Sequence, residues 1–131
     1  MTRRLVSAVS FAVLVSAISV TAHHSAASAY DTAKKITMKG TVTKVDWKNP
    51  HVFYYLDVAD ASGTVVNWAI EGSTPNQLYR NGWRKDDLKI GDAVTVANSS
   101  PARNGSKKAY GGTLTLADGR RVFGGSAATD Q

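Results

Sequence analysis

The stretch HVFYYLDVADASGTVVNWAIEGSTPNQLYRNG, residues 51–82, decides the fold predicted for this chain. Its first nine residues alternate in character, so that Val52, Tyr54 and Leu56 share one face of a strand and His51 lies on the other. DASG at 60–63 is typical of a hairpin turn, and TVVNWAIE at 64–71 predicts a second strand with alternate apolar residues inward. The pattern therefore predicts a β-hairpin.

STPNQLYRNG at 73–82 then predicts one short helix. Ser73 or Thr74 can cap its first turn, and Pro75 suits a position where no backbone donor is needed. The Asn-Gly pair at 81–82 ends it.

With the flanking segments, the pattern predicts a barrel. ITMKGTVTKVDW at 36–47 predicts a long first strand whose apolar phase switches between Val42 and Val45, which indicates a β-bulge, and Gly40 makes a bend easier. DLKIGDAVTVA at 87–97 predicts a fourth strand, and AYGGTLTLADGRRVFGG at 109–125 a fifth with a short sixth after its DG turn. We predict an all-β fold with one short helix, an OB-fold-like five-stranded partly open barrel. The alternative is a flat antiparallel sandwich, which would have more even strands and no need for the helix.

MTRRLVSAVSFAVLVSAISVTA at 1–22 has the layout of a secretory signal peptide. Its apolar run is shorter than a membrane span and contains serines. Cleavage after Ala22 would expose His23, and cleavage after Ala29 would expose Tyr30; we favour the first. We expect a signal peptide at 1–22, a flexible lead-in at 23–35, the OB-like domain at 36–125 and a disordered tail at 126–131.

Composition limits the partners. Without residues 1–22 the 131-residue chain has 109 residues, and its net charge falls from +6 to +4 because Arg3 and Arg4 leave. Such a length suits one domain, and the chain has no cysteine for a disulfide or a lipid anchor. We expect a periplasmic or secreted monomer whose partner is a small ligand or a periplasmic protein. Export argues against nucleic acid as a partner.

OB barrels often bind ligands on the face of strands two and three and in the adjoining loops. This rule predicts an aromatic and basic binding face made of Trp47, Asn49, His51, Phe53, Tyr55, Asn67 and Arg103. The alternative is that Phe53 and Tyr55 only pack under a loop or the tail.

Two of the three histidines stand together at His23-His24. A chain beginning at His23 offers its amine and imidazole to one ion, and His24 and His51 can add nitrogens. Such ligands suit Cu(II) first, so copper is the candidate cofactor. The alternative is a solvated histidine pair and a His51 that hydrogen-bonds within its own turn.

An enzyme is not expected, and we predict no catalytic residue. The chain lacks cysteine, has no G-x-S-x-G elbow and contains one glutamate, Glu71, without a paired carboxylate. The two hypotheses are therefore a non-enzymatic binding module and a copper-binding protein.

AHHS at 22–25, GTVTKVDWKNPHVFYYLDV at 40–58, NWAIEGSTPNQLYRNGWRKDDLKIGD at 67–92 and LADGRRVF at 116–123 together resemble domain of unknown function 6152, a family of small exported bacterial proteins. The resemblance covers about residues 22–125. It implies a single exported OB-like domain and no established activity. The family's recurring marks match His23, His24, Trp47, Asn49, Pro50, His51, Trp68, Glu71, Gly72, Arg80, Gly82, Trp83 and Lys85.

Overall fold

The structure, a computed structural model, describes residues 26–125 and residue 127. The elements of this part follow in chain order. They are β1 (Ile36–Asp46), β2 (Phe53–Ala59), β3 (Val65–Glu71), α1 (Pro75–Arg80), a 3-10 helix (Lys85–Asp87), β4 (Ala93–Pro101), β5 (Lys108–Tyr110), β6 (Thr113–Leu116) and β7 (Arg121–Val122). None of the described helices is long and apolar enough to cross a membrane.

The strands close into a barrel. The hydrogen-bonded order β1-β2-β3-β5-β4 returns to β1 through a direct β1–β4 pairing. All of these pairs are antiparallel except β3 with β5, which run parallel. This connectivity, with the helix between β3 and β4, confirms the predicted all-β OB-like barrel with one short helix.

The predicted fifth strand is divided into β5 and β6. Gly111 and Gly112 separate the two pieces, and both have positive φ, at 63° and 101°. A strand cannot continue through this conformation, which glycine adopts readily. β5 pairs with β3 and β4, whereas β6 pairs with β4 and with the short β7.

The predicted β-bulge lies in β1. Val42 is opposite Leu56 and Lys44 is opposite Tyr55, so Thr43 is the extra residue. The bulge shifts the inward phase by one residue, and Val42 and Val45 are therefore both buried.

The helix closes one end of the barrel. The Thr74 side chain accepts a hydrogen bond from Gln77 N at 3.1 Å, which confirms Thr74 as the cap. Leu78 and Trp83 are buried in the same core as Leu56 and Ile70. Helix burial thus extends the barrel core beyond the strand ends.

The described part of the predicted lead-in lies against the barrel. Residues 26–29 form one helical turn, and Tyr30, which is buried, bridges to Ala102. Arg103 N donates to Ala29 O at 2.9 Å, which ties this turn to the loop after β4. In the tail, Ala127 is buried and its N–H donates to Asn81 O. The predicted signal peptide and the pair His23-His24 lie outside the described residues.

Candidate functional site

Backbone pairing brings the start of β2 next to the end of β3. Phe53 pairs with Glu71, Gly72 N donates to Val52 O, and Val52 N donates to Ser73 O, both bonds at 2.8 Å. His51 directly precedes this ladder and follows the cis Asn49–Pro50 peptide bond. The side chains of His51 and Glu71 therefore meet at one end of the barrel.

His51 and Glu71 form a histidine–carboxylate pair. His51 Nδ1 contacts Glu71 Oε1. A carboxylate accepts hydrogen bonds, so Nδ1 is the donor, and in the neutral ring this tautomer has its lone pair on Nε2. The His51 side chain is 35% exposed, and its Nε2 has no hydrogen-bond partner among the described residues. Such a nitrogen can bind a metal ion or accept a proton.

Tyr30 completes the cluster from the N-terminal segment. Its hydroxyl donates to Glu71 Oε2 at 2.6 Å, and its ring stacks on Tyr110 with centroids 5.4 Å apart. Burial, and then the hydrogen bond and negative charge of Glu71, raise the pKa of Tyr30 above its usual value. Tyr30 therefore stays a neutral donor. The cluster Tyr30, His51, Glu71 and Tyr110 is called the end cluster below.

A cavity of about 290 Å³ adjoins the end cluster, beneath α1. It is called the end cavity. Its lining includes the apolar side chains Val52, Leu78, Leu114, Val122 and Phe123 and the polar side chains His51, Tyr54, Ser73 and Thr74. Gly111 and Gly112 contribute backbone to its wall.

The predicted binding face of strands two and three pairs its polar groups internally. Asn67 donates to Asp57 Oδ1 at 2.8 Å and to Thr43 Oγ1 at 3.1 Å. Lys44 lies over the Tyr55 ring, with its Nζ 5.1 Å from the centroid. The N–H groups of the Asn67 amide are therefore paired within the chain, and no ligand is needed to satisfy them.

The other predicted binding residues lie in different surroundings. Trp47 packs edge-on against Phe123, with ring centroids 5.5 Å apart, and Asn49 is exposed. Phe53 is half-buried opposite Glu71. Arg103 donates through Nε to Ala27 O at 3.0 Å. The structure thus does not gather the seven predicted residues into one site, and only His51 lines the end cavity.

Sequence reasoning did not propose Glu71, Tyr30 or Tyr54 as site residues. A signal for Glu71 was present, because it is the one glutamate of the chain and lies across the predicted hairpin from Phe53. Tyr30 carried no comparable signal, since it is 41 residues from Glu71.

Fold and site together define a small OB-like β-barrel with a histidine–carboxylate pair at one end. The chain belongs to a family of unknown function (DUF6152), whose model matches residues 11–111. No curated protein and no solved structure matches the chain.

Proposed function

We propose that this chain is an exported, non-enzymatic protein of the periplasm or the secreted fraction that binds a transition-metal ion, with Cu(II) preferred. The ligands are His51 Nε2, the two histidines His23 and His24, and the terminal amine of a chain beginning at His23. The observation that carries the proposal is the His51–Glu71 pair. Metal-binding histidines almost always donate their other N–H to a carboxylate, a carbonyl or water.

The end cluster supports this assignment, because it holds the segment that follows the N-terminal histidines close to His51. Tyr30 is anchored on Glu71, the same carboxylate that holds His51. His24 is six residues before Tyr30; the helical turn at 26–29 covers about 6 Å of that path, and the two residues before it add at most about 7 Å. The chain length therefore permits His23 and His24 to meet His51.

Contacts of residues 26–29 favour processing after Ala22. Ala27 O and Ala29 O both accept hydrogen bonds from Arg103. Cleavage after Ala29 would remove these contacts together with both histidines. Cleavage after Ala22 keeps them and leaves His23 as the first residue.

A complete site needs ligands from both segments. Among residues 26–125 and 127, no group of three histidine, cysteine, aspartate or glutamate side chains is placed to hold a metal ion. His51 supplies one nitrogen, and the remaining nitrogens are assigned to His23 and His24. Nitrogen ligands place Cu(II) above Ni(II) and Zn(II) in affinity.

A histidine held by a carboxylate can also serve as a general base. His51 Nε2 has no hydrogen bond to a described hydroxyl that could act as a nucleophile. Metal binding is therefore the function that the pair supports better.

Copper titration tests the proposal directly. The naturally processed protein, with its first residue fixed by intact mass, is expected to bind one Cu(II) ion. One alanine inserted before His23, or His51→Ala, should remove tight binding. Glu71→Gln keeps the shape but loses the charge, and we expect the affinity to fall about 10- to 100-fold.

The matched control lies on the face of strands two and three. Tyr55→Phe should leave the copper affinity unchanged. Copper binding unaffected by His51→Ala, or a mature chain beginning at Tyr30, would contradict the proposal. Strong effects of Tyr55→Phe on binding of a periplasmic partner would instead favour the binding-face hypothesis.

A further inference from the structure

We infer that the end cavity binds a small uncharged organic molecule, of one ring or two fused rings, that carries one hydrogen-bonding group facing Tyr54. This second site goes beyond metal binding. It rests on the size of the end cavity, the chemistry of its wall and the state of the Tyr54 hydroxyl.

Tyr54 provides the observation that points to a ligand. The residue is 4% exposed and lines the end cavity, and its hydroxyl has no hydrogen-bond partner among the described residues. The hydroxyl oxygen is not among the described buried atoms that lack a partner, so it keeps accessible surface. A molecule in the end cavity can therefore accept a hydrogen bond from it.

Burial also fixes the form of this hydroxyl. Loss of solvent around the ring raises the pKa of Tyr54 above its usual value. Tyr54 is therefore neutral at physiological pH and can donate to a carbonyl or hydroxyl oxygen.

The lining determines the class of ligand. The apolar side chains of the wall suit an apolar ring, as in most small-molecule sites. No lysine, arginine, aspartate or glutamate is among the described residues that line the end cavity, so a charged ligand would lose its hydration without gaining a counter-ion. A volume of about 290 Å³ exceeds the roughly 150 Å³ of an engineered cavity that holds benzene.

Ser73 marks the rim of the end cavity. Its side chain is exposed, while its backbone carbonyl accepts from Val52 N and so fixes its position. A large side chain at residue 73 can therefore cover the opening without entering the core.

The test uses three probes on the processed, metal-free protein: acetophenone, toluene and benzoate. Acetophenone has the ring and the acceptor, toluene lacks the acceptor, and benzoate is charged. We expect acetophenone to bind, with amide shifts at Gly72, Gly111 and Gly112 in two-dimensional NMR spectra. Toluene should bind more weakly, and benzoate should not bind at neutral pH.

Two variants decide the assignment. Tyr54→Phe should weaken acetophenone about fivefold, the value of one hydrogen bond, and should leave toluene unchanged. Ser73→Trp should abolish the binding of acetophenone and of toluene, whereas Tyr79→Phe, at an exposed tyrosine, should change the binding of neither probe. Acetophenone that fails to bind up to its solubility limit, or that binds Tyr54→Phe equally well, would overturn the inference. Because the protein is free of metal, either result leaves the copper proposal to its own titration.

Discussion

Replacing Gly40 by alanine is expected to lower the free energy of unfolding by about 3 kcal/mol, a typical cost of forcing extra volume into a packed interior. A Cβ atom at this position would lie 2.4 Å from the backbone oxygen of Asp57 and 3.0 Å from Val58 Cγ2. The nearer obstacle is backbone, so β1 and β2 must separate locally. Urea unfolding followed by tryptophan fluorescence measures the loss.

Two further variants make the Gly40 prediction specific. Gly124→Ala adds the same methyl group where no atom lies within 4 Å, and its stability should stay within about 0.5 kcal/mol of the parent. The double variant Gly40→Ala with Val58→Ala should remain unstable, since it removes the movable neighbour and keeps the Asp57 carbonyl. Recovery in the double variant would mean that the side chain, not the backbone, sets the limit.

The barrel could be predicted because its signals are local. Alternation places Val52, Tyr54 and Leu56 inward over consecutive residues, and all three are buried. The change of phase between Val42 and Val45 needs one extra residue, which is Thr43. Each of these inferences depends on residues within a few positions of each other.

The division of the fifth strand follows a weaker local signal. Two successive glycines allow the positive φ angles that interrupt the ladder, but glycine also occurs within strands at bends and bulges. Only the pairing of Lys108–Tyr110 with β3 shows that the first piece closes the barrel.

The end cluster depends on distant residues. The hairpin register places Phe53 opposite Glu71. The turn predicted at 60–63 was therefore enough to predict that His51 and Glu71 lie close together. No sequence pattern predicts the position of Tyr30, because a single buried side chain creates no hydrophobic periodicity in its segment. The segment containing Tyr30 therefore reads as a loose lead-in from sequence alone.

The second large effect is expected in alkali. Burial raises the pKa of Tyr54, and burial together with Glu71 raises that of Tyr30. The unfolded chain ionises both phenols near pH 10. Above that pH the unfolded state has lost protons that the folded state keeps, so stability falls as pH rises. The expected slope is about 1.4 kcal/mol per pH unit for each tyrosine, or about 2.7 for the pair.

Urea titrations at a series of alkaline pH values measure this slope. Tyr54→Phe and Tyr30→Phe should each reduce it by about 1.4 kcal/mol per pH unit, whereas Tyr79→Phe, at an exposed ring, should leave it unchanged. Lysine ionisation is common to all these proteins and cancels in the comparison.

At neutral pH the two tyrosine-to-phenylalanine variants should differ in stability, because only the Tyr30 hydroxyl has a hydrogen-bond partner among the described residues. Tyr54→Phe removes a hydroxyl without a described partner and should cost almost nothing, whereas Tyr30→Phe removes a bond to the Glu71 carboxylate and should cost about 1.5–3 kcal/mol. If the free energy of unfolding falls with alkaline pH equally steeply in the parent and in Tyr54→Phe, the Tyr54 hydroxyl ionises as freely in the folded chain as in the unfolded one. The Tyr54 ring would then be in contact with water, and the end cavity would be an open cleft in place of an apolar pocket.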